Sequence, residues 1–110
     1  MTQVIGPEQM DLLVSAVRDG KIVAFPTETV YGVACLFDDL KGLDRIMEIK
    51  KRNPNKAVTL MLSKKDDVKK YGLVDEGTQR VIDKFMPGRM TIVLKRLDSV
   101  DSRHVSGKDT

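Results

Sequence analysis

The stretch Gly20-Lys21-Ile22-Val23-Ala24-Phe25-Pro26-Thr27-Glu28-Thr29-Val30-Tyr31-Gly32 decides the fold class of this chain. Ile22 to Phe25 reads as a buried strand. Proline has no N–H to donate, so Pro26 predicts that ladder pairing stops at Phe25. The two threonines and Glu28 then fall at the carboxyl end of a strand, where α/β folds usually keep their sites. Gly32 permits a turn or a close backbone approach that a side chain would block.

Working outward, Pro7 to Asp19 reads as a helix, with proline in its first turn, Glu8 and Asp11 near its positive end and Gly20 as its C-terminal cap. Met10, Leu13, Val14 and Val17 recur at helical spacing and form a candidate core stripe. Downstream, Asp38 or Asp39 can cap a second helix running to about Lys51, with Leu40, Leu43, Ile46 and Met47 on its buried side. That helix ends in Lys50-Lys51-Arg52, followed by an expected turn over Asn53-Pro54-Asn55 and by Lys56. Ala57 to Leu62 is a short apolar strand. Ser63 opens a short helix to Tyr71 through capping-box-like spacing, and Asp75 caps another through Phe85, burying Val81, Ile82 and Phe85. Met86-Pro87-Gly88 breaks that helix, and Met90 to Leu94 reads as a third strand. From Lys95 to Asp109 the chain is polar and reads as a loop. Helices alternating with strands predict an α/β architecture with a partly parallel sheet.

At 110 residues the chain fits one domain, and its net charge of +3 permits a polyanionic partner without requiring one. A single cysteine, Cys35, excludes an intramolecular disulfide, and a single histidine, His104, leaves the usual acid–base and metal constellations without members. No apolar run approaches a bilayer-spanning length and no basic-then-apolar leader opens the chain, so a cytoplasmic protein without a membrane partner is expected. Chemistry must therefore rest on hydroxyls, cations and backbone groups. Lys50, Arg52 and Lys56 have a plain structural explanation, as cations complementing the negative end of a helix. They also have a functional one, as a fork and two point charges for phosphate or carboxylate.

Taken together, the ordered segments resemble the Sua5/YciO/YrdC family. Phe25-Pro26-Thr27-Glu28-Thr29-Val30-Tyr31-Gly32 is similar to its leading motif, Lys50-x-Arg52 with Lys56 to its Lys-x-Arg motif, and Met86-Pro87-Gly88-Arg89-Met90-Thr91 to its Pro-Gly-Pro-x-Thr strand. Two positions depart from the pattern: Arg89 replaces the second proline, and Met61 stands where many synthases carry a histidine. The resemblance implies an α/β, YrdC-like twisted mixed sheet flanked by helices and incomplete at the C-terminus, with residues 1–110 forming the N-terminal portion of one such domain. It also implies threonylcarbamoyl-AMP synthesis from L-threonine, bicarbonate and ATP, in the N6-threonylcarbamoyl modification of tRNA adenosine 37.

By that resemblance Thr29 and Lys50 would bind threonine, and Arg52, Lys56 and Thr110 would bind ATP. Thr27, Tyr31 and Thr91 would support them from behind. No side chain acts as a covalent catalyst and no protein metal site is expected; Mg2+ would ride on the phosphates. Two other expectations stand beside it. One is a double-stranded RNA or tRNA-binding module without synthesis. The other is an inactive fragment that forms a homodimer by pairing with itself.

Overall fold

Helix α1 spans Met10–Arg18 and is entered through one tighter 3-10 turn at Pro7–Gln9. The expected helix is therefore present, with its proline in the first turn. It closes in a Schellman motif: Gly20 N–H donates to the Val17 carbonyl at 3.1 Å and Lys21 N–H to the Ala16 carbonyl at 3.0 Å. Gly20 has φ +81°, which it adopts without a Cβ penalty. The stripe on α1 is narrower than its spacing suggests. Leu13, Ala16 and Val17 are half-buried, while Met10 and Val14 are exposed. α1 packs on β1, and so short a strand covers only one edge of the apolar face.

Strands β1 (Val23–Pro26) and β2 (Tyr31–Ala34) form an antiparallel hairpin, in the register Val23↔Ala34, Ala24↔Val33, Phe25↔Gly32 and Pro26↔Tyr31. Two expectations are corrected here. Pro26 is still paired, because proline lacks only the donor and sits at the strand end, where its carbonyl remains usable. Among the described residues the paired strands are antiparallel, because the Thr27–Val30 connection is far too short for the crossover that parallel strands need. Gly32 lies inside β2 rather than in a turn and meets the other expectation, a close approach: a Cβ there would stand 3.4 Å from Phe25 Cζ.

The computed structural model describes residues 2–53, 56–101 and 110. It comprises two units, Met1–Asn53 and Pro54–Thr110. The turn expected at Pro54-Asn55 and most of the polar stretch, 102–109 with His104, lie outside the described residues.

In the first unit, α2 spans Leu40–Lys50 and buries Gly42, Leu43 and Ile46. Its N-cap is Asp39, whose Oδ1 accepts from Gly42 N–H at 2.9 Å, satisfying one of the orphan donors of the first turn.

In the second unit a 3-10 helix covers Lys65–Lys70. Ser63 does not cap it: the N-cap position is Lys64, which makes no side-chain cap bond. Tyr71 to Leu73 runs antiparallel to Lys95–Leu97, with Leu73 N–H to the Lys95 carbonyl at 2.8 Å and Leu97 N–H to the Tyr71 carbonyl at 2.9 Å. Ser99 Oγ donates to the Lys70 carbonyl at 3.2 Å and Arg96 to the Val100 carbonyl at 3.0 Å, which folds the buried Val100 back under this crossing.

Helix α3 spans Glu76–Phe85 and buries Ile82 to 1 % exposure, but Val81 and Phe85 are exposed, which corrects the wider buried face expected for it. The segments Ala57–Leu62 and Met90–Leu94 are extended but belong to no ladder among the described residues. Met90, Ile92 and Leu94 are half-buried while Thr91, Val93 and Lys95 are exposed, so the period-two pattern is present without a ladder among the described residues.

Asp75 caps α3 by accepting from Thr78 N–H at 2.7 Å. That bond first, and then the Thr78 hydroxyl, hold the Asp75 carboxyl below its ordinary value. A carboxyl whose folded pKa is depressed stabilises the fold above its unfolded pKa, and the contribution is lost as pH falls through the folded value. Protection of the first-turn amides of α3 against hydrogen exchange is therefore expected to fall as pH drops below about 4. In Asp75→Asn, which caps without titrating, it should stay flat across that range.

Candidate functional site

The β1–β2 connection is organised by one hydroxyl. Thr27 Oγ1 donates to the Val30 carbonyl, accepts from Thr29 N–H at 3.3 Å, and lies 3.4 Å from Thr29 Oγ1. A threonine hydroxyl has one proton and two acceptor positions. The two residues look equivalent in sequence, yet the geometry makes Thr27 the organiser of the loop, bonded to the Val30 carbonyl and the Thr29 N–H, and leaves the Thr29 side chain exposed.

The two valine substitutions should therefore differ. Thr27→Val removes the whole hydroxyl relay and is expected to lower stability by about 1–2 kcal/mol in urea unfolding. Thr29→Val should stay within about 0.5 kcal/mol of the parent. Equal losses would contradict the organising role of Thr27.

Tyr31 opens β2 opposite Pro26 and is 73 % exposed, beside an equally exposed Val30. Lys50 is the last residue of α2 and Arg52 follows two positions on; both are exposed. Between them Lys51 takes the left-handed conformation, φ +47° and ψ +40°. Lys51 N–H donates to the Glu48 carbonyl and Arg52 N–H to the Met47 carbonyl, each at 3.1 Å. This is a second Schellman motif, with lysine where α1 uses glycine. Nothing in the spacing Lys-x-Arg announces it; the following Asn53-Pro54 marks the end of the helix but not its geometry.

Of the residues in the second unit, Lys56 is exposed, Thr91 faces out from the extended Met90–Leu94 segment, and Thr110 is exposed. The structure thus joins Thr27 to Thr29 within one loop and ties Lys50 and Arg52 to one helix end. Lys56, Thr91 and Thr110 belong to the other unit.

Cys35 is half-buried, with its sulfur 3.8 Å from the Asp39 carbonyl oxygen. Burial, and then the Asp39 carboxylate, push its thiol above the ordinary value, so at neutral pH it remains protonated and a poor nucleophile. Among the described residues no cluster of three His, Cys, Asp or Glu side chains could hold a metal ion, and no helix is long and apolar enough to cross a membrane.

Residues 15–110 match the Sua5/YciO/YrdC family model, described as telomere recombination. The chain is 32% identical over 95 residues to the threonylcarbamoyl-AMP synthase of Pyrococcus abyssi, a match covering 86% of this chain and 28% of that one. Among solved structures it is similar to Escherichia coli YciO, with TM-score 0.84 and 25% identity over 99% of this chain and 56% of that one. It is also similar to P. abyssi Sua5 complexed with L-threonine, with TM-score 0.85 and 28% identity over 97% of this chain and 32% of that one.

The fold and the hydroxyl–cation motifs define an α/β domain of this kind. The chain belongs to the Sua5/YciO/YrdC family. It spans less than half the length of the curated relatives it matches.

Proposed function

We propose that this chain supplies amino-acid and phosphate ligands for threonylcarbamoyl-AMP synthesis. The observation that carries the reading is the loop that Thr27 organises, which presents the exposed Thr29 side chain in a family whose P. abyssi member was crystallised with L-threonine. A hydroxyl there suits the amine and carboxylate of an amino acid. Lys50 and Arg52, in the same unit, are suited to carboxylate and phosphate oxygens.

In this reading the threonine amine attacks bicarbonate carbon and loses a proton, and water leaves to give an N-carboxylate. A carboxylate oxygen then attacks the α-phosphorus of ATP, and the bond to the bridging oxygen breaks to release pyrophosphate. The substrate provides the nucleophile, so the protein needs no activated Cys, Ser or His. Its work is to position the reactants and balance charge. Mg2+ would arrive on the nucleotide phosphates, where it spreads their negative charge. Thr29 and Lys50 would hold the amino acid, and Arg52 would serve the nucleotide phosphates. The adenylate would supply tRNA modification.

The test is pyrophosphate release by the chain with ATP and Mg2+, omitting threonine and bicarbonate in turn. Release that requires both supports synthesis. Release that ignores either substrate, or its absence with all substrates present, rejects synthesis by these 110 residues.

A further inference from the structure

In an unbroken helix Lys50 and Arg52 would diverge by about 200°, since successive residues turn through about 100°. Arg52 N–H would then seek the Glu48 carbonyl. It bonds the Met47 carbonyl instead, at 3.1 Å, because Lys51 reverses the chain through the left-handed region. Met47 and Lys50 are three residues apart and so lie on one face of α2. The reversal at Lys51 therefore takes Arg52 off the helical course on which it would diverge from Lys50.

We propose that Lys51 is a positioning residue, whose left-handed backbone brings Lys50 and Arg52 to bear on a single anionic group. The inference rests on reading those two side chains as anion ligands. It makes the spacer part of the motif. Any residue between the two cations must tolerate positive φ, as glycine and asparagine do readily and β-branched residues do not. Lysine meets that need with a steric cost and adds a third cation at the negative end of α2.

The experiment separates conformation from charge by calorimetric titration of pyrophosphate. Lys51→Gly removes the charge and keeps the turn, whereas Lys51→Val removes both. Lys51→Gly is expected to bind within about threefold of the parent, and Lys51→Val about tenfold more weakly, at a temperature where both are folded. A double-mutant cycle with Lys50→Ala and Arg52→Ala gives the second readout, which a merely structural role would not move. Coupling between the two cations should appear in the parent, persist in the Lys51→Gly background and vanish in the Lys51→Val background. Should Lys51→Val fail to fold, Lys51→Asn against Lys51→Ala gives the same contrast.

The proposal is overturned if Lys51→Val binds as the parent does, if the cycle is additive in the parent, or if the parent binds no better than the double variant. Failure of synthesis is distinguishable. Pyrophosphate coupling that survives while threonine-dependent release is absent leaves the role of Lys51 standing and removes only the synthase reading.

Discussion

Arg52→Ala is expected to raise the dissociation constant for ATP by roughly tenfold to a hundredfold, with little change in thermal unfolding. The size follows from losing hydrogen bonds to a charged group, worth about 1.5–3 kcal/mol. The helix cap should survive the substitution, because the backbone N–H of residue 52, not its side chain, bonds the Met47 carbonyl. Arg52→Lys should recover only part of the loss, since an ammonium cannot offer the planar fork of a guanidinium. Calorimetric titration with Mg2+ present, alongside a melting curve for each variant, checks both halves. Parent-like ATP affinity in Arg52→Ala would remove Arg52 from the site.

The largest expected effect on stability comes from an alanine that helix propensity would favour. Replacing a helical glycine by alanine usually stabilises by about 0.5–1 kcal/mol. At Gly42 the sign should reverse. A Cβ there would stand 2.5 Å from Asp39 Oδ2 and 2.9 Å from Cys35 Cβ. The carboxylate it would displace is the one that caps α2 through Gly42 N–H. Crowding a packed site and breaking a cap together should cost about 2–4 kcal/mol. Gly77 provides the control. It occupies the first turn of α3, and its Cβ would meet only Asp75 Oδ1 at 3.6 Å and Arg80 at 3.9 Å, which is ordinary contact. Gly77→Ala should follow propensity and stabilise, so urea unfolding of the two variants should move in opposite directions. A stabilised Gly42→Ala would mean that the Asp39 cap is free to shift.

Much of the local chemistry was legible. Asp39, Asp75 and Gly20 act within a few residues of themselves, and each caps the helix end its type suggests, whereas Ser63 does not. The return strand Tyr31–Ala34 was less visible, because Gly32 reads as a breaker until Phe25 is known to lie over it. The extended Met90–Leu94 segment shows its alternation in sequence, but pairing needs a partner, and a partner is a tertiary fact. Burial of Val81 and Phe85 failed for the same reason: spacing tells which residues share a face, not whether anything covers it. Within the site the residue types were legible, since hydroxyls and cations stand out in a chain with so few other reactive groups. Their division of labour was not. Thr27 and Thr29 separate only through the bonds that Thr27 makes to the loop backbone, and Lys51 enters only through a dihedral angle.

The apolar segment Met90–Leu94 has a colloidal consequence. Ile92, Val93 and Leu94, with Val93 75 % exposed, are the composition from which intermolecular β-stacking grows. Arg89 stands before the segment, and Lys95 and Arg96 follow it. Copies aligned in register would bring these cations against their own kind at every layer, so the flanks act as gatekeepers against fibrous growth. That safeguard is electrostatic and reaches only about 8 Å at physiological ionic strength. Concentrated salt, which leaves the apolar segment untouched, dissolves the barrier while sparing the hazard.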